Sequence, residues 1–196
     1  MRKRPSAIIT AGILGGALLL ASCNTEESQD QAAPTMDSAH QGHGSNGSAG
    51  TEMEHPMDGG PAPAGIVAAE SPKYPVGTEV TLTADHMSGM DGAKAVIAGA
   101  YDTYTYSVNY TTANGGDPVK DHKWVVQEEL KDAGDQRQVD GARVILDADH
   151  MAGMKGAEAT IESSTDETVY MVDYRADGMT MTNHKWVVES EIEPAS

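Results

Sequence analysis

From Gly77 to Tyr110 the chain repeats itself as Gly141 to Tyr174, at an offset of 64 and without a gap, with 17 of the 34 positions identical. After a loop that is two residues longer in the first copy, His122-Lys123-Trp124-Val125-Val126 recurs as His184-Lys185-Trp186-Val187-Val188. Half identity at a fixed offset marks two copies of one module. Each copy spans roughly 55 to 60 residues, near the lower limit at which a chain folds without a disulfide or a metal. Copies of that size have reason to lean on each other.

Within a copy the apolar residues alternate, as in Val80 and Leu82, in Ala93, Ala95 and Ile97, and in Tyr104, Tyr106, Val108 and Tyr110. Alternation marks short half-buried strands, and the Gly- and Asn-rich stretches between them mark turns. Helix is confined to a turn near Gln127–Leu130 and its counterpart near Glu189–Ile192. The expected fold is mostly β: two tandem small antiparallel barrels of the SH3-like kind, copy 1 over 73–131 and copy 2 over 138–193. The polar run from Lys131 to Gln138 reads as the connector.

The start of the chain gives an address. Residues 1–22 carry a basic Arg2-Lys3-Arg4 head and a short Gly-containing apolar run, the pattern of a secretory signal and not of a spanning helix. The run ends Leu20-Ala21-Ser22-Cys23, which resembles the lipobox at which bacterial lipoprotein signals are cleaved. Cys23, the only cysteine of the chain, falls where the lipid would be attached. The expected location is extracytoplasmic, on the cell membrane, held by a lipid anchor.

From 23 to 72 the chain is rich in Gly, Ser, Ala, Pro and acids, with too little apolar surface to fold, and reads as an acidic, disordered tether. The net charge is −17, from 13 basic and 30 acidic residues. Such an excess of acid repels phosphate backbones and excludes nucleic acid as a partner. The tether is punctuated by Met36, His40, His43, Met53, His55 and Met57. Thioether and imidazole suit copper, so these are candidate weak ligands, although chance occurrence in a polar linker explains them equally well.

The folded copies carry a stronger pattern. Each has a His followed by Met and by a second Met three residues later: His86, Met87, Met90 and His150, Met151, Met154. A second His opens the last clear strand, at His122 and His184. If each barrel brings its first loop beside that strand, one copy gathers two imidazoles and one or two thioethers, a donor set for copper in either common oxidation state. Asp85 and Asp149 would orient the imidazoles. The competing reading makes Met90 and Met154 core plugs and the histidines loop anchors. Copy 2 also adds Met171, Met179 and Met181, the last two beside His184, which breaks the symmetry in favour of one site.

No residue pattern supports catalysis: there is no nucleophile elbow, zinc-protease motif or phosphate-cradling loop. The alternative to metal binding is an envelope interaction module that holds a wall polymer or a protein on an aromatic surface of Trp124, Trp186, Tyr101, Tyr104, Tyr106, Tyr110, Tyr170 and Tyr174. Lipobox, Met/His tether and a doubled pair of H-M-x-G-M-x-G-A and H-K-W-V-V segments resemble the YdhK-type family of bacterial lipoproteins, over about Tyr74 to Ile192. That resemblance implies tandem copies of a domain of unknown function, and no catalytic residue.

Overall fold

The computed structural model describes residues 55–195. The signal segment, Cys23, Met36, His40, His43 and Met53 lie outside the described residues. The described chain forms the strands β1 (Val67–Ala68), β2 (Glu79–Leu82), β3 (Lys94–Asp102), β4 (Thr105–Thr111), β5 (Pro118–Val126), β6 (Arg143–Ile145), β7 (Glu158–Thr165), β8 (Val169–Ala176), β9 (Met179–Val188) and β10 (Ile192–Pro194). Single 3-10 turns at Gln127–Glu129 and Glu189–Glu191 follow β5 and β9.

These strands build two antiparallel sheets. One runs β10-β2-β3-β8-β9, with β1 added on β3, and the other runs β5-β4-β7-β6. Only Thr103 and Tyr104 separate β3 from β4, yet the two strands do not pair. Instead β3 lies along β8, with Ile97 opposite Val172 and Tyr101 opposite Val169, while β4 lies along β7, with Tyr106 opposite Ser164 and Tyr110 opposite Ala159. The front half of each copy therefore pairs with the back half of the other.

The fold is mostly antiparallel β with tandem copies, as expected, but the expected pair of small barrels is not seen. Neither sheet path returns to its first strand, so neither sheet is closed, and each draws on both copies. The cores follow the exchange. One joins Val80, Leu82, Met90 and Ile97 of copy 1 to Tyr170, Val172, Tyr174 and Val187 of copy 2. The other joins Tyr106, Val108 and Val125 of copy 1 to Leu146, Met154 and Ile161 of copy 2. A third cluster, with Val126, Val169, Met171, Trp186 and Val188, lies where the copies cross. Corresponding halves of the two copies present matching apolar faces, so the pattern along the chain fits either partner.

The connector and the end of the tether are also pinned to the body. Gln127 donates from Nε2 to the Gly134 carbonyl at 2.6 Å, and the Gln138 amide donates to the Tyr106 hydroxyl at 3.0 Å. Val67 and Ala68 pair with Asp102 and Tyr101, and Ala62 and Ile66 pack on the central cluster. The stretch 55–72, expected to be free tether, is thus laid against the fold. Its one aliphatic pair, Ile66-Val67, supplies the apolar contact and the β1 pairing.

An isolated first copy, residues 73–137, would leave β3 without β8 and β4 without β7. Because each central strand would then expose a full row of unpaired backbone groups, this fragment is expected to be unfolded or dimeric. Far-UV circular dichroism and size-exclusion chromatography distinguish those results from a folded monomer, which would show that a copy can close on itself.

Candidate functional site

Each copy places its second histidine with a bulge. Opposite Asn109, between the Val108–His122 and Tyr110–Val119 pairs, β5 carries two residues, Lys120 and Asp121. Opposite Asp173, β9 likewise carries Thr182 and Asn183. The residues before the histidines take left-handed φ values, 47° at Asp121 and 50° at Asn183, which Asp and Asn accept more readily than most side chains. Their amides donate to the Asn109 and Asp173 side chains at 2.8 Å and 2.7 Å. Such a bulge re-aims the next side chain, here His122 and His184.

The first histidines sit on the loops after β2 and β6, and each meets a carboxylate of the other copy. His86 donates from Nε2 to Glu191 Oε1 at 2.6 Å, while Trp124 Nε1 and the Val188 amide donate to Glu191 Oε2 at 2.9 Å and 3.2 Å. His150 donates to Glu129 Oε1 at 2.7 Å, with Trp186 Nε1 at 2.9 Å and the Val126 amide at 3.2 Å on Oε2. The partners expected to orient these imidazoles were Asp85 and Asp149. The structure gives that place to Glu191 and Glu129. Both glutamates stand five residues after the repeated Trp, so the duplication itself carried the signal, hidden because the partner lies in the other copy.

His86, His122 and His184 border one cavity of about 1200 Å³, lined also by His55, Met57, Asp85, Met87, Asp149, Met151, Met179 and Met181 among others, while His150 lies behind its wall. His86, Met87 and His122 of copy 1 and Met151 and His184 of copy 2, expected in two separate sites, thus share a single space between the copies. The pairing differs accordingly: the His122 ring faces His150 of copy 2, centroids 6.0 Å apart, and the His184 ring faces His55 of the tether, centroids 5.0 Å apart. Met87 and Met151 accept hydrogen bonds from Tyr174 and Tyr110, each at 3.8 Å. Met90 and Met154 are fully buried in the two cores and do not line the cavity. They are plugs of their sheets, as an unbranched side chain suits a core built without Phe.

Burial favours the neutral form of three imidazoles, those of His55, His122 and His184. Burial, followed by the neighbouring histidines, pushes both His122 and His184 down to about 3, and burial likewise lowers His55. Burial raises the Glu129 carboxyl, but His150, Trp186 and the Val126 amide together hold it below its ordinary value. His86 Nδ1, His122 Nε2, His150 Nδ1 and His184 Nδ1 are all buried without a hydrogen-bond partner. Each such atom costs about 1–3 kcal/mol, and four of them occur on the four equivalent histidines. Among the described residues, no three of His, Cys, Asp and Glu converge as a ready-made metal cluster. The arrangement is one of imidazole pairs with thioethers close by. The aromatic surface considered as an alternative is mostly interior: Tyr106, Tyr110, Tyr170, Tyr174 and Trp186 are buried.

Fold and site define a duplicated, half-exchanged two-sheet protein with a histidine- and methionine-lined cavity between its copies. The chain belongs to the family described as protein of unknown function DUF1541, whose pattern matches residues 76–127 and 140–189. It is 46% identical over 182 residues to the uncharacterized protein YdhK of Bacillus subtilis strain 168, covering 92% of this chain and 85% of that one. The crystal structure of a DUF1541 family protein from B. subtilis superposes with a TM-score of 0.69 at 50% identity, over 71% of this chain and 98% of that one. A solution structure of the YdhK C-terminal domain gives 0.59 at 53% identity, over 61% and 92% of the respective chains.

Proposed function

We propose that this protein is a non-catalytic, lipid-anchored, extracytoplasmic binder of a soft metal ion, copper foremost, which it buffers or passes on as cargo. The observation that supports this reading is the set of four buried imidazoles, each with one ring nitrogen unpartnered, beside a cavity that also carries thioethers. Glu191 and Glu129 hold His86 and His150 by one ring nitrogen and leave the other bare, the arrangement by which proteins orient a metal-binding imidazole. Paired imidazoles with thioethers suit cuprous ion better than zinc, which takes four ligands in a closed tetrahedral site. His122, His184, Met87 and Met151 are the central donors, and the neutral state of His122 and His184 keeps them competent in mildly acidic surroundings.

The test is a titration of residues 24–196 with cuprous ion against a competing chelator, beside a His122→Gln, His184→Gln variant shown to be folded. Chelator-resistant binding that is lost in the variant is the expected result, with zinc held far more weakly. If the parent protein releases all its copper to the chelator, the four histidines are core residues and the reading falls.

A further inference from the structure

The cavity is not symmetric, and the difference comes from the tether. On the His184 side the segment 55–59 runs beside β9: the Thr182 amide donates to the Met57 carbonyl and the Gly59 amide to the Thr182 carbonyl, both at 2.9 Å. Asp58 accepts from Asn183 Nδ2 at 3.0 Å and from the Gly60 amide at 2.8 Å. This strap sets the His55 ring against His184 and puts Met57 on the cavity wall. On the His122 side the equivalents of Thr182 and Asn183 are Lys120 and Asp121, and no described segment pairs with them in this way. Met181 and Met179, which line the strapped side, correspond to Val119 and Asp117 in copy 1.

We infer that the strap completes a distinct soft-metal site on the His184 side, with His55 and His184 as its imidazole donors and Met57, Met179 and Met181 as its thioethers. The inference rests on the metal-binding reading and adds that the two sides of the cavity are unequal. His55 Nδ1 lies 3.2 Å from the Pro56 carbonyl. A carbonyl only accepts, so the ring proton is on Nδ1 and Nε2 keeps its lone pair. His184 contributes a buried Nδ1 with no partner. Ring centroids 5.0 Å apart are within the span of two imidazoles sharing one ion through metal–nitrogen bonds of about 2 Å. Thioethers favour the reduced ion, and they are concentrated on this side.

Gly59 offers a test that removes no donor atom. A Cβ there would lie 2.1 Å from the Asn183 carbonyl oxygen, so Gly59→Ala forces the strap away from β9. Residues 24–196 are titrated with cuprous ion under a competing chelator as the parent, as Gly59→Ala and as His55→Ala. Cuprous ion is diamagnetic, so the histidine ring protons are followed by NMR in the same samples. The expected result is that the His55 and His184 signals shift together before that of His122, and that each variant weakens the tighter binding event by about tenfold or more while a weaker event persists. Parent-like affinity in both variants, or a first shift at His122, overturns the strap site and leaves the general metal reading standing. A parent that binds no copper overturns both.

Discussion

Replacing Glu129 by alanine is expected to cost about 3–5 kcal/mol of unfolding free energy, the range for removing one partner of a buried charged pair. Its carboxylate holds three donors at once: His150 Nε2, Trp186 Nε1 and the Val126 amide. The substitution strands all of them where water is scarce, since the His150 and Glu129 side chains are only 4% and 5% exposed. It also loosens the crossing of the copies, because His150 and Trp186 belong to copy 2 and Glu129 to copy 1. Glu191→Ala removes the equivalent set, but Glu191 is 16% exposed, so water replaces part of what is lost and the cost is smaller. Glu129→Gln retains an acceptor for Trp186 and should fall between parent and alanine. Urea unfolding of the three variants gives the comparison. Equal midpoints for Glu129→Ala and the parent would mean that the carboxylate network does not hold the copies together.

The second large effect is a loss of stability in acid. In the unfolded chain His122 and His184 take up protons near pH 6.5; in the fold, burial holds both down to about 3. Between those values the unfolded state binds more protons. Stability that is fully present above about 6.5 is therefore lost as the pH falls, by about 1.4 kcal/mol per pH unit for each histidine. Two such groups acting over that window are comparable with the whole stability of a typical domain, about 5–15 kcal/mol. Glu129 and Glu191, both held low in the fold, lose stability in the same direction at lower pH. Metal-free protein should thus unfold during a titration from pH 7 toward 3, followed by tryptophan fluorescence. A His122→Gln, His184→Gln variant should show a visibly shallower dependence, and an unchanged slope would place the acid sensitivity elsewhere.

Much of this was legible in the residues. Alternating Val80 and Leu82 or Ala95 and Ile97 mark strands because a half-buried sheet needs that period, and the structure has strands there. The reading of Met90 and Met154 as plugs was available from the lack of Phe. The asymmetry of copy 2 was visible in Met179 and Met181. Glu129 and Glu191 were legible only as repeated positions, because a carboxylate's partner depends on which chain segment arrives beside it. The strap was hidden more deeply: His55 and Met57 look like two more members of a Met/His tract until Asp58 meets Asn183.

The sequence by itself determined the duplication, the β character, the turn positions and the residue types that a soft-metal site requires. These depend on local periodicity and side-chain chemistry, which act over a few residues. Only the tertiary structure decided that the copies exchange halves, that His86, His122 and His184 border one cavity instead of two, and that the tether closes one side of it. Corresponding halves present matching apolar faces, so the pattern along the chain is much the same whichever partner each half takes. The choice is made by contacts far apart in sequence, such as that between His86 and Glu191.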